Sequence, residues 1–118
     1  MKPISKSQFN LSRQCEKAFY LYRFNKDLLT YSAAQQQRFS QGTSFGEYMQ
    51  QRFPGGVDVS KVATSFPKRI ALTKAFLAKA EAPIYEATLT TEIDGIPLLC
   101  MIDILVPNNG KWDIYEVK

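Results

Sequence analysis

Ile102-Asp103-Ile104-Leu105-Val106-Pro107-Asn108-Asn109-Gly110-Lys111-Trp112-Asp113-Ile114-Tyr115-Glu116-Val117-Lys118 decides the fold of this chain. Asn109-Gly110 is a strong short-range hairpin signal, because a two-residue type I′ turn needs positive φ at both central residues. Counting outward from that turn places Asn108 opposite Lys111, Val106 opposite Asp113 and Asp103 opposite Glu116. Asp94-Gly95 repeats the signal upstream. There Ile93 faces Ile96, and the same count sets Glu86 opposite Asp103. Three carboxylates, Glu86, Asp103 and Glu116, then form one row across three strands and on one face. Lys118 follows Glu116 by two residues and shares that face.

Like charges directly opposite one another on a sheet cost up to about 1 kcal/mol per pair. Stacked acids with a lysine beside them therefore suit a bound cation. The competing account is a row of solvated side chains on an open sheet. Against it, the neighbours Ile84, Ala87, Leu89, Met101, Ile104 and Ile114 are apolar on both faces, as in a sheet covered on both sides. The register depends on both turns having two residues, since one extra residue would send every side chain to the other face.

Upstream of the sheet the periodicity turns helical. Ser5 and Ser7 are candidate N-caps for a helix over about Gln8–Phe24, whose Leu11, Cys15, Ala18, Phe19 and Tyr22 recur at three- and four-residue spacing. That stripe places Cys15 in a buried position and makes core packing the first account of the aromatic residues, with base stacking as the alternative. Ser32 caps a second helix over Ala33–Arg52, stopped by Pro54-Gly55-Gly56. Gly42 and Gly46 inside it cost about 1 kcal/mol each relative to alanine, which predicts a close approach of this helix to the sheet. Glu47 sits beside that stripe. Val57–Val62 alternates as a short edge strand, and Thr64 or Ser65 caps a third helix over Pro67–Lys79. The parts make one α+β domain over residues 1–118, with N-terminal helices packed on an antiparallel β-meander.

Composition narrows the chemistry. The 118 residues are 45% hydrophobic and 22% charged, the balance of an ordinary globular domain. The chain has no histidine, which removes His-based acid–base catalysis and Ser-His-Asp triads. Its two cysteines form neither a disulfide framework nor a zinc pattern. No secretory leader or membrane-length apolar run is visible, so a cytoplasmic protein without a membrane partner is expected. The net charge of +4 is uneven: residues 1–40 hold seven Lys and Arg against two acids. A basic helical half beside an acidic sheet suits a polyanion held near a metal. Merely solvated surface charge is the competing account.

Ile-Asp-Ile-Leu, a turn, then Asp-Ile-Tyr-Glu-Val-Lys resembles the D…E-x-K signature of the PD-(D/E)XK nuclease superfamily, in particular its RecB-type and CRISPR-associated exonuclease branch. Gln-Gly-Thr-Ser-Phe-Gly-Glu-Tyr, Phe-Pro-Gly-Gly-Val-Asp and Ile-Tyr-Glu-Ala are similar to a group of uncharacterised bacterial proteins assigned to that superfamily, as is the opening Ser-x-Ser-x-Phe…Gln-Cys-Glu-Lys. The resemblance implies a partial restriction-endonuclease-like core. It also implies that Asp103 and Glu116 bind Mg2+ or Mn2+, that the Val117 carbonyl completes the set, and that Lys118 orients the attacking water. The histidine of the RecB branch falls at Gly46, so Glu47 is its acidic substitute, and Glu86 backs or bridges to the metal. Lys6, Arg13, Lys17 and Arg23 are the candidate nucleic-acid contacts, with DNA ahead of RNA.

The family core continues past the E-x-K strand with a helix and more strands, whereas this sequence ends at Lys118. The resemblance therefore implies the N-terminal part of that core, with a homodimer or a partner chain completing the sheet. Iron–sulfur members need three further C-terminal cysteines, so Cys15 alone implies no cluster. Two functions remain open: a metal-dependent nuclease, or an inactive nucleic-acid-binding or interaction fragment of a larger relative.

Overall fold

Asp94 and Gly95 take φ of 51° and 78°, and Asn109 and Gly110 take 50° and 77°. These are the left-handed pairs that a type I′ turn requires, and they join three long strands: β3 (Ile84–Ile93), β4 (Ile96–Asn108) and β5 (Lys111–Tyr115). The structure is a computed structural model that describes residues 2–28, 30 and 32–118. β4 and β5 pair antiparallel with Asn108 opposite Lys111, Val106 opposite Asp113 and Ile104 opposite Tyr115. The ladder ends there, one step short of Asp103 and Glu116.

The remaining elements, in chain order, are β1 (Ile4–Ser5), α1 (Lys6–Gln14), α2 (Glu16–Phe24), a 3₁₀ turn (Lys26–Leu28), α3 (Ala33–Gln50), β2 (Val57–Asp58), α4 (Val59–Val62) and α5 (Phe66–Lys79). The fold is α+β, but the sheet is mixed rather than a pure antiparallel meander. Its order is β1-β4-β3-β2, with β5 also on β4. β1 runs parallel to β4 and β2 runs parallel to β3. Each added strand is two residues long, too short for side-chain alternation to register. No described helix is long and apolar enough to cross a membrane.

The chain divides into two compact units, Met1–Ser40 with Thr90–Cys100, and Gln41–Leu89 with Met101–Lys118. In the first, the expected single helix is broken. Cys15 takes an extended φ of −160° and ψ of 112°, ends α1, and begins α2 by accepting a hydrogen bond at Sγ from the Ala18 N–H. Cys15 is therefore exposed, not buried, because the break takes it off the apolar stripe that a continuous helix would carry. Ser5 caps α1 in a reciprocal pair with Gln8. Arg23 ties the N-terminal segment down, donating to Gln8 Oε1 at 2.9 Å and to the Lys2 carbonyl at 2.8 Å.

The second unit contains most of the buried apolar side chains: Val59, Ala63, Ile84, Tyr85, Ala87, Ile102, Ile104 and Leu105. α5 docks on β3 through a buried hydrogen bond from the Thr88 N–H to Thr73 Oγ1 at 3.0 Å. Gly56 meets Tyr85 so closely that an added Cβ would lie 2.5 Å from the ring and 2.7 Å from the Pro83 carbonyl. The Tyr85 hydroxyl accepts from the Gly56 N–H at 3.1 Å and donates to the Phe53 carbonyl. The expected edge strand over Val57–Val62 is strand only at Val57–Asp58. There the Asp58 carboxylate caps α4, accepting from the Ser60 N–H at 2.9 Å, and the chain turns helical.

Candidate functional site

The second unit carries a cleft of about 370 Å³ whose walls come from α3, the β2–α4 junction, β3, β4 and the segment after β5. Its lining includes Glu47, Asp58, Glu86 and Asp103, together with Lys61 and the backbone at Gly42, Gly46 and Val117. The glycines do not serve the close helix–sheet approach that their spacing predicts. An alanine Cβ at either would meet nothing within 4 Å. They leave one wall of the cleft bare, so their helix-propensity cost opens space instead of bringing two backbones together.

Glu86 has the most unusual backbone of the four acids. Its φ of 55° lies in the left-handed region inside a β-strand, where a non-glycine residue is uncommon and costs roughly 1–3 kcal/mol. The burial pattern breaks at the same point: Ile84 and Tyr85 are both buried, and so are Ala87 and Thr88. A left-handed residue inside a strand turns its side chain away from the regular alternation. The half-buried carboxyl titrates near 6 instead of 4.5, first because burial penalises its charge. The nearby Asp103 and Asp58 carboxylates raise it further, Arg69 opposes them, and Glu116 adds a smaller upward push.

Asp103 is half-buried on β4, and its Oδ2 accepts a hydrogen bond from the Val117 N–H at 2.7 Å. That bond ties the segment after β5 to the cleft and orients the carboxylate. Asp58 is tied on both oxygens, by Ser60 on Oδ1 and by Gln50 Nε2 on Oδ2 at 3.3 Å. Asp58 is the acid that the row of three did not include. Its signal was an acid between two valines, two residues before a serine that it could bond locally, and it reaches the cleft only because β2 pairs parallel to β3 with Asp58 opposite Tyr85.

The other candidates divide. Glu47 lines the cleft, paired with Lys61 at 3.5 Å. Glu116 is exposed and acts on the cleft through its charge at Glu86. Lys118 is exposed and lies outside the lining. Lys6, Arg13, Lys17 and Arg23 all belong to the first unit, where the Arg23 guanidinium is held by the N-terminal segment.

Carboxylate oxygens are the donors that a hard divalent cation takes, and repulsion among Glu86, Asp103 and Asp58 is the charge excess that such an ion would relieve. The donor chemistry fits magnesium or manganese. The shell is not preformed, because among the described residues no three acids or cysteines are grouped closely enough to hold a metal ion. No family model, no curated protein and no solved structure matches the chain.

Proposed function

We propose that this chain is a metal-dependent nuclease domain that hydrolyses phosphodiester bonds of nucleic acid, DNA ahead of RNA. The observation that carries the reading is the placement of Glu86, Asp103 and Asp58 around one cleft, where burial first and the two neighbouring carboxylates second raise the Glu86 carboxyl to about 6. Asp103 and Glu86 would hold Mg2+ or Mn2+, with Glu116 reaching in from the segment after β5. A bound divalent ion there supplies an activated water and polarises the phosphodiester. The chain's own part is positional. The Val117 N–H fixes Asp103, the left-handed backbone aims Glu86, and the bare α3 wall at Gly42 and Gly46 leaves room for a sugar-phosphate backbone.

The test is cleavage of single- and double-stranded DNA with magnesium or manganese. Asp103→Asn is expected to lower the rate by about 10²–10³-fold, the usual loss for a group that stabilises developing charge. Unchanged cleavage by Asp103→Asn removes the proposed site. A second reading, a module that binds nucleic acid without cutting it, draws on the unformed metal shell and on the position of Lys118 outside the cleft. It expects salt-dependent binding, indifferent to chelator, and no product.

A further inference from the structure

We propose that Lys61, not Lys118, is the residue of the cleft that takes the phosphate of a bound nucleic acid, and that Glu47 holds it in place until the phosphate arrives. The inference rests on the nucleic-acid reading above and assigns the phosphate-contacting residue of that same site.

A cleft lined by Glu47, Asp58, Glu86 and Asp103 repels a polyanion unless a cation faces it. Among the described residues Lys61 is the one Lys or Arg in that lining. It also borders the adjoining cleft of about 480 Å³, with Gln50, Gln51, Pro54 and Tyr85, so a strand passing from one hollow to the other would cross it. Arg69 is near enough to lower the Glu86 carboxyl, but its guanidinium is already engaged. It donates from Nε to the Ala63 carbonyl at 2.9 Å and lies 5.2 Å over the Phe66 ring.

The position of Lys61 is fixed by short links. β2 sets Asp58 beside Tyr85, one residue from Glu86, and Asp58 caps the single turn of α4 that carries Lys61. The backbone is therefore anchored while the side chain is exposed. Lys61 Nζ lies 3.5 Å from Glu47 Oε1, and both side chains are more than half exposed. An exposed pair of this kind is worth roughly 0–1 kcal/mol, so a phosphate oxygen can displace the glutamate. Glu47 is then a holding partner for Lys61 and not a metal ligand.

Binding of a fluorescent single-stranded oligothymidylate to the full chain, followed by anisotropy in chelator across a salt series, tests this without any turnover. Losing one phosphate contact lowers the slope of log affinity against log salt by about 0.7 for a single strand. Lys61→Gln is expected to show that drop and bind several-fold more weakly at low salt, Lys61→Arg to restore the slope, and Glu47→Gln to bind more tightly than wild type. A wild-type slope in Lys61→Gln overturns the assignment. So does a slope lost in Lys118→Gln but kept in Lys61→Gln, or weaker binding by Glu47→Gln. No binding by the wild-type chain at any salt concentration would remove the nucleic-acid reading itself, a result distinct from all of these. Circular dichroism and thermal melts of each variant separate lost contact from lost fold.

Discussion

The two units spend their apolar residues differently. In the second, Val59, Ile84, Ile104 and Leu105 are closed off between the helical segments and the sheet. In the first, α1 and α2 have no buried residue, and Phe9, Tyr20, Phe24 and Leu28 are exposed. Polar ties do more there: the Ser5–Gln8 cap, the Cys15 cap and the Arg23 clasp. The cleft belongs to the unit with the packed core. Charged groups held close together need rigid backing, and among the described residues the first unit has little buried area to provide it.

The largest expected effect tests that contrast directly. Ile104 is fully buried, and Ile104→Ala should destabilise by about 2–5 kcal/mol. Leu28 is exposed, and Leu28→Ala should change stability by no more than about 0.5 kcal/mol. Urea melts of both variants decide it, and comparable losses would mean that the first unit has a core of its own.

Glycines sharpen the same contrast within the second unit. Gly56→Ala drives a methyl into the Tyr85 ring and a backbone carbonyl, at a cost of about 1–3 kcal/mol. Gly42→Ala meets nothing and should stabilise α3 by about 0.5–1 kcal/mol. If the bare wall is there for substrate, that gain comes with slower cleavage. Thermal melts that move in the same direction for both variants would contradict the open wall.

The effect confined to a narrow pH range concerns Glu86. Its carboxyl titrates near 6 in the fold against about 4.5 without it. The folded state thus holds the proton more tightly. The stability this contributes is complete below about pH 4.5 and is lost as pH rises through 6. Glu86→Gln removes the charged form. The variant should exceed wild type by about 1 kcal/mol near pH 7.5 once solvent screening is allowed for, and the difference should close towards pH 4.5. A gap that is constant with pH would show that Glu86 is neither desolvated by burial nor crowded by its neighbours.

The β4–β5 register could be counted from residues 102–118 because a two-residue Asn-Gly turn fixes pairing locally and side-chain direction alternates with every step. The α+β class followed from two periodicities, one helical and one strand-like, in separate parts of the chain. Nearest-neighbour chemistry is enough for both. The left-handed backbone at Glu86, the break at Cys15 and the use made of Gly42 and Gly46 were hidden, since each depends on what lies across space from the residue.

Sequence by itself determined the hairpin turns, the cap at Ser32, which accepts from the Gln35 N–H at 3.2 Å, and the place of Asp103 on its strand, all set by contacts a few residues apart, while it left the first cap open between Ser5 and Ser7. Only the tertiary structure decided that Asp58 and Lys61 join Asp103 in one cleft while Lys118 stays out of it. That choice rests on a two-residue parallel pairing between segments some 27 positions apart, Val57 with Ile84. Its stabilisation comes from closing a core around Val59, Ile84 and Ile104, and no local pattern encodes which distant segment will fill that space.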